Sequence, residues 1–213
     1  MLRLMTICLL LLPPGIAGAD AWPRGKGQVF AAAKLRLPNR DTRHSGTRGV
    51  FAEYGLTDKL TLGAEQDQGS GARVFLRWAK LRPGGLVTAQ SFGLAESDNP
   101  YADVLVETGL HAGYGWESRL GAGWISLDSR FSATPQGIWD HAKLDLLAGV
   151  KPVPRLMTML SVETHAEPGA TFVNLVPSLA WRLFPVFTIQ ARYRTPLHGG
   201  AARQIEFALW TKF

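Results

Sequence analysis

The residues of this chain best equipped for chemistry are a few histidines, one serine and a large set of scattered charges. His141, Glu163 and His165 fall in two neighbouring segments. Two imidazoles and a carboxylate are ligands that a divalent metal such as zinc accepts. The same three groups would also serve as a pH-sensitive gate, because histidine titrates near neutrality, or stand as plain solvated polar side chains. A hydrolase needs a nucleophile held against a base. Ser161 has no clear orienting partner, and His44-Ser45 are adjacent in sequence, which does not aim one side chain at the other. Gly69-Ser-Gly71 and Gly121-Ala-Gly123 open no helix, so neither forms a phosphate-binding loop. The chain implies no cofactor, and no enzyme is expected from it.

These side chains are positioned by strands. Period-2 alternation bounded by turn residues gives twelve segments, near 27–37, 47–55, 59–67, 72–81, 85–94, 103–114, 118–131, 139–150, 155–165, 171–183, 186–196 and 203–213. Most are about the 9–11 residues that a tilted strand needs to cross a bilayer, and no segment is apolar enough for a spanning helix. The connections alternate between tight, as at Arg82-Pro-Gly84 and Phe184-Pro185, and mostly longer and polar, as at 38–46 and 95–102. Turns short on one side and loops long on the other are the habit of barrels that span an outer membrane. An even strand number then puts both termini on the periplasmic side. Strand faces are well separated: Leu60, Leu62 and Ala64 oppose Thr61, Gly63, Glu65 and Asp67. Segments 5 and 7 do not separate cleanly, and a β-bulge is expected to shift the register of segment 7.

Both ends of the sequence fit export to a membrane. Arg3, a short apolar core from Ile7 to Leu12, Pro13-Pro14 and the small residues Ala17 to Ala21 form a signal peptide over 1–21, cut near 19–21. The lone Cys8 leaves with it, so disulfides cannot hold the remaining domain, 22–213. The final segment alternates without a break and stops on Phe213. It resembles the C-terminal strand of Gram-negative outer-membrane β-barrel proteins, which implies that the barrel-insertion machinery reads it. Glu53-Tyr-Gly-Leu-Thr-Asp-Lys-Leu-Thr-Leu-Gly63 is similar to a hairpin of many proteobacterial outer-membrane barrels, including porin-like families. Both resemblances imply an antiparallel transmembrane β-barrel located in the outer membrane.

Such a barrel would carry its charges inside. Lys34, Arg36, Arg73, Arg77, Arg192 and Arg194 are expected to line the lumen and attract anions, against Glu53, Glu65 and Glu107. Most of the basic residues would form one wall and the acidic ones another, orienting small polar solutes. Tyr54, Trp78, Trp116, Trp181 and Phe213 are expected to form an outward aromatic girdle at the periplasmic rim, with Tyr193 and Phe172 at the outer rim. Arg40, Arg43 and Arg48 would meet lipopolysaccharide phosphates. The formal charge of +6 comes from residues spread singly along strands, so nucleic acid is not an expected partner. The expected function is passive diffusion of small hydrophilic, anionic solutes. The alternatives are a closed barrel with an anchoring role and an outer-membrane lipid-modifying enzyme.

Overall fold

The computed structural model describes residues 21–37, 46–97, 102–119, 121–200 and 203–213. The signal-peptide residues up to Asp20 and the loop residues Arg40 and Arg43 lie outside it. Twelve strands run Val29–Arg36 (β1), Thr47–Gly55 (β2), Leu60–Asp67 (β3), Gly71–Leu81 (β4), Leu86–Glu96 (β5) and Val104–Ser118 (β6). They continue through Gly121–Ala133 (β7), Trp139–Val153 (β8), Leu156–Glu167 (β9), Ala170–Arg182 (β10), Phe187–His198 (β11) and Gln204–Lys212 (β12). Each strand pairs antiparallel with its sequence neighbours, and β1 pairs β12, from Phe30↔Lys212 to Arg36↔Glu206, closing the barrel. Closure leaves no unpaired edge, which is what permits strands to sit in hydrocarbon.

The pattern of burial is inverted relative to a water-soluble domain. Leu110 is 63% exposed, Phe92 58% and Val74 52%, while Glu53 and Arg77 are 1% exposed. Apolar side chains thus face outward and charges face the lumen, as a lipid exterior requires. Tyr54, Trp78, Trp116, Trp181 and Phe213 are exposed on the outer face at the end of the barrel that carries the chain termini. Tyr193 is also outward, but Phe172 turns inward and stacks on His165 at 6.3 Å between ring centres. Phe172 and His165 are registered opposite one another, so they must share a face.

Two local expectations change. The connection after β9 shrinks to Pro168-Gly169, because the strands run on to the Glu167↔Ala170 pair. Gly169 closes that hairpin at φ +86, a left-handed conformation that suits the residue after a turn proline. The body of β7 is regular, with Trp124, Ser126, Asp128 and Arg130 inward and Ile125, Leu127 and Phe131 outward. Its register shifts only at the far end, where Ser132↔His141 gives way to Ala133↔Trp139 and β8 carries the extra residue, Asp140.

Candidate functional site in the barrel lumen

All nine sequence-predicted lumen charges lie inside the barrel, but they do not form opposed walls. They interleave as ion pairs between strands that are adjacent or one strand apart. Lys34 Nζ stands 2.8 Å from Glu65 Oε1, and Arg73 Nε donates to Glu65 Oε2 at 2.8 Å. Arg73 also reaches Glu107, at 3.5 Å, and Arg130 approaches Glu107 at 3.9 Å. Nearby, Arg36 forks onto Asp67 at 2.8 and 2.7 Å and donates to Glu206 at 2.9 Å. Arg192 bridges Glu206, at 2.7 Å, and Glu163, which Arg194 also contacts at 2.6 Å. Segregation fails for a physical reason: charges a few ångströms apart lower their energy by alternating in sign.

Pairing also decides the metal expectation. Glu163 is committed to Arg192 and Arg194, although the rings of His141 and His165 come within 5.3 Å of each other. The β8–β9 register places Lys143 opposite His165 and Asp145 opposite Glu163, with His141 further toward the loop end. Among the described residues no three histidine or acidic side chains converge as a ligand set.

The end of the lumen nearest the termini is filled by the chain itself. Ahead of β1, residues 21–28 fold back into the barrel mouth. Trp22 packs against Ala79, Val87 and Ala89 on one wall and against Trp124, Met157, Met159 and Ala180 on the other. Arg24 is 5% exposed; its Nε donates to Glu53 at 2.5 Å and its backbone N–H donates to Thr61 Oγ1 at 3.1 Å. Glu53 also accepts from Arg77, so one buried carboxylate holds two guanidinium groups. Gly55 makes the close approach possible: a Cβ there would collide with the carbonyl oxygens of Arg24 and Gly25. This turn is why β1 begins at Val29 and not two residues earlier.

Polar relays occupy the middle of the lumen. Ser91 Oγ lies 2.9 Å from His111 Nε2, and His111 Nδ1 lies 3.1 Å from Asp128 Oδ1. On the next strands Ser132 Oγ lies 3.1 Å from His141 Nε2, and His141 Nδ1 lies 2.7 Å from Asp140 Oδ2. As expected, His111, His141 and His165 all face inward, away from the surface that a lipid-modifying hydrolase would use. Sequence reading missed Ser91 and Asp128. Ser91 sits on the one strand whose inner face is otherwise small and apolar, with Val87, Ala89, Gly93 and Ala95 inward while Gln90 points out.

A closed twelve-strand barrel of this kind is similar in fold to solved structures. KdgM porin matches with a TM-score of 0.62 at 7% identity, over 87% of this chain and 98% of that one. The fold is that of outer-membrane porins. NanC porin gives a TM-score of 0.63 at 8% identity, over 87% of this chain and 98% of that one. An outer-membrane channel from Pseudomonas putida F1 gives 0.54 at 11% identity, covering 93% of this chain and all (100%) of that one. KdgM porin has also been solved in complex with disordered oligogalacturonate. No family model matches the sequence, and no curated protein does.

Proposed function

We propose that the protein is an outer-membrane channel through which small hydrophilic, anionic solutes diffuse passively. The observation that carries this reading is a closed barrel, apolar outside and densely charged within, in the architecture of porins. The oligogalacturonate complex of KdgM porin supports the anionic class, since that ligand is a chain of carboxylates in a barrel of like fold. Within the lumen, Lys34, Arg36, Arg73, Arg77, Arg192 and Arg194, paired with Glu53, Glu65 and Glu107 and their neighbours, set the shape and polarity of the path. On β7 to β9 three bases sit in register, Arg130 facing Lys143 and Lys143 facing His165. Like charges directly opposite each other on neighbouring strands repel, so this stretch is where an anion would be best received.

Export follows from the same reading. Signal cleavage near 19–21 places the new N-terminus at the mouth that Trp22 fills, both termini lie in the periplasm, and Phe213 is offered to the insertion machinery. Arg48 on β2, together with the basic loop sequence at Arg40 and Arg43, would pair with lipopolysaccharide phosphates. The buried Arg24–Glu53 contact makes residues 21–28 the closing element of the periplasmic mouth. Its presence also favours a second reading, a closed barrel with an anchoring role. Single-channel recording in a planar bilayer separates the two. Unitary steps that grow when Trp22 and Arg24 are changed together to alanine support the gated channel. Silence from both the wild-type and the doubly substituted barrel, each shown to be inserted, supports the anchor.

A further inference from the structure

Passage of solutes does not require the arrangement of Ser91, His111 and Asp128. The three side chains come from β5, β6 and β7, which the register sets side by side: Ser91 opposite Gly109, His111 opposite Asp128. An ionised carboxylate only accepts hydrogen bonds, so the proton between His111 and Asp128 resides on Nδ1. That leaves the Nε2 lone pair facing the Ser91 hydroxyl at 2.9 Å, which is the polarity a general base needs toward a nucleophile. Gly109 keeps this contact open: a Cβ there would stand 2.5 Å from Ser91 Oγ and 3.0 Å from His111 Nε2.

The second relay is wired differently. Ser132, fully buried, donates to Glu107 at 3.1 Å, so its proton is already committed to a carboxylate and is not offered to His141. Ser91 is half-buried, facing the lumen. Arg77 on β4 is registered opposite Ser91 and Arg130 on β7 opposite Gly109, so the strands on either side of the relay are basic, with Arg77 held by Glu53 and Arg130 approaching Glu107.

We propose that Ser91 is the nucleophile of a lumenal esterase site that cleaves small O-acyl esters carried on hydrophilic solutes, with His111 as its base and Asp128 as the carboxylate that orients the imidazole. Ser91 Oγ bonds to the acyl carbon while its proton passes to His111 Nε2. The ester C–O bond breaks and the alcohol leaves with that proton. Water, deprotonated by His111, then attacks the acyl–serine, releasing the carboxylic acid and restoring the hydroxyl. The confined lumen selects for short acyl groups, and its charges favour a polar carrier. The proposal requires that solutes enter the lumen, not that they pass through it.

The test uses the full barrel, refolded and checked by its heat-modifiable electrophoretic mobility. It is treated with a fluorophosphonate, and p-nitrophenyl acetate hydrolysis is followed in parallel. The expected result is one phosphonyl adduct, mapped to Ser91 by mass spectrometry. Hydrolysis should fall about 100-fold or more in Ser91→Ala and His111→Gln, fall in Asp128→Asn, and persist in Ser132→Ala. An unmodified Ser91 in folded wild-type protein overturns the proposal, as does wild-type hydrolysis by folded Ser91→Ala. Conductance separates it from the transport reading: a labelled but silent barrel sustains the site and removes the channel, and a conducting barrel without adduct does the reverse.

Discussion

Glu53 shows how tightly single residues are committed in this lumen. Its carboxylate is 1% exposed and lies between Arg24, on the folded-back segment, and Arg77, on β4. Glu53→Gln would leave two buried guanidinium groups sharing a neutral amide. Removing one partner of a buried ion pair costs about 3–5 kcal/mol. The expected outcome is a barrel that still inserts but unfolds at clearly lower urea, read from tryptophan fluorescence in detergent. Lys143 is the complementary case, since it faces Arg130 and His165 and not a carboxylate in register. Lys143→Glu would place an acid between two bases, turn a lumenal positive charge into a negative one and reverse a preference for anions. The check is the reversal potential under a salt gradient; an unchanged sign would remove β7 to β9 from the selectivity path.

Among the elements, the segment 21–28 depends on the absence of one side chain. Gly55 accepts a hydrogen bond from Gly27 N–H at 2.8 Å and donates its own N–H to Gln28 at 3.0 Å, and any Cβ at 55 would meet the segment's carbonyls. Gly55→Val should expel the segment and leave the β2–β3 ladder intact. Trypsin would then cut after Arg24, which is buried in the wild type, and unit conductance would rise. The strands themselves were legible in the sequence to within a few residues, because alternation is a local signal. Position 55 was legible only as a turn glycine, since its contact partner comes from a segment with no periodicity. Strand β5 resisted for a related reason: its inner face packs on Trp22 and is small and apolar, with Val87, Ala89, Gly93 and Ala95 beside Ser91. Once that face was ambiguous, Ser91 could not be assigned to the lumen, and the Ser91–His111–Asp128 relay stayed hidden. The ion pairs were hidden differently. Arg36 and Glu206 meet 170 positions apart, through a closure that no local pattern encodes, so the signs were readable but the partners were not.

For the molecule as a whole, the inverted burial makes a claim that separates it from any soluble β domain. Leu110, at the middle of β6 and 63% exposed, should face hydrocarbon, whereas Trp124 is 1% exposed inside the lumen. An arginine at a lipid-facing midplane position costs about 2–4 kcal/mol and less near the interfaces. Leu110→Arg should therefore destabilise the barrel in bilayers by that amount while leaving the lumen's ion pairs in place. Tryptophan quenching by brominated lipid tests the same geometry by a different readout. In variants retaining one tryptophan each, Trp78 and Trp181, exposed near the terminal end, should be quenched, and Trp124 should be shielded. The pattern follows from parity alone, since a one-residue shift in register exchanges the two faces of a strand. If Trp124 were quenched and Trp78 were not, the apolar face would be the inside of the barrel, and the membrane reading would fail together with every lumen assignment built on it.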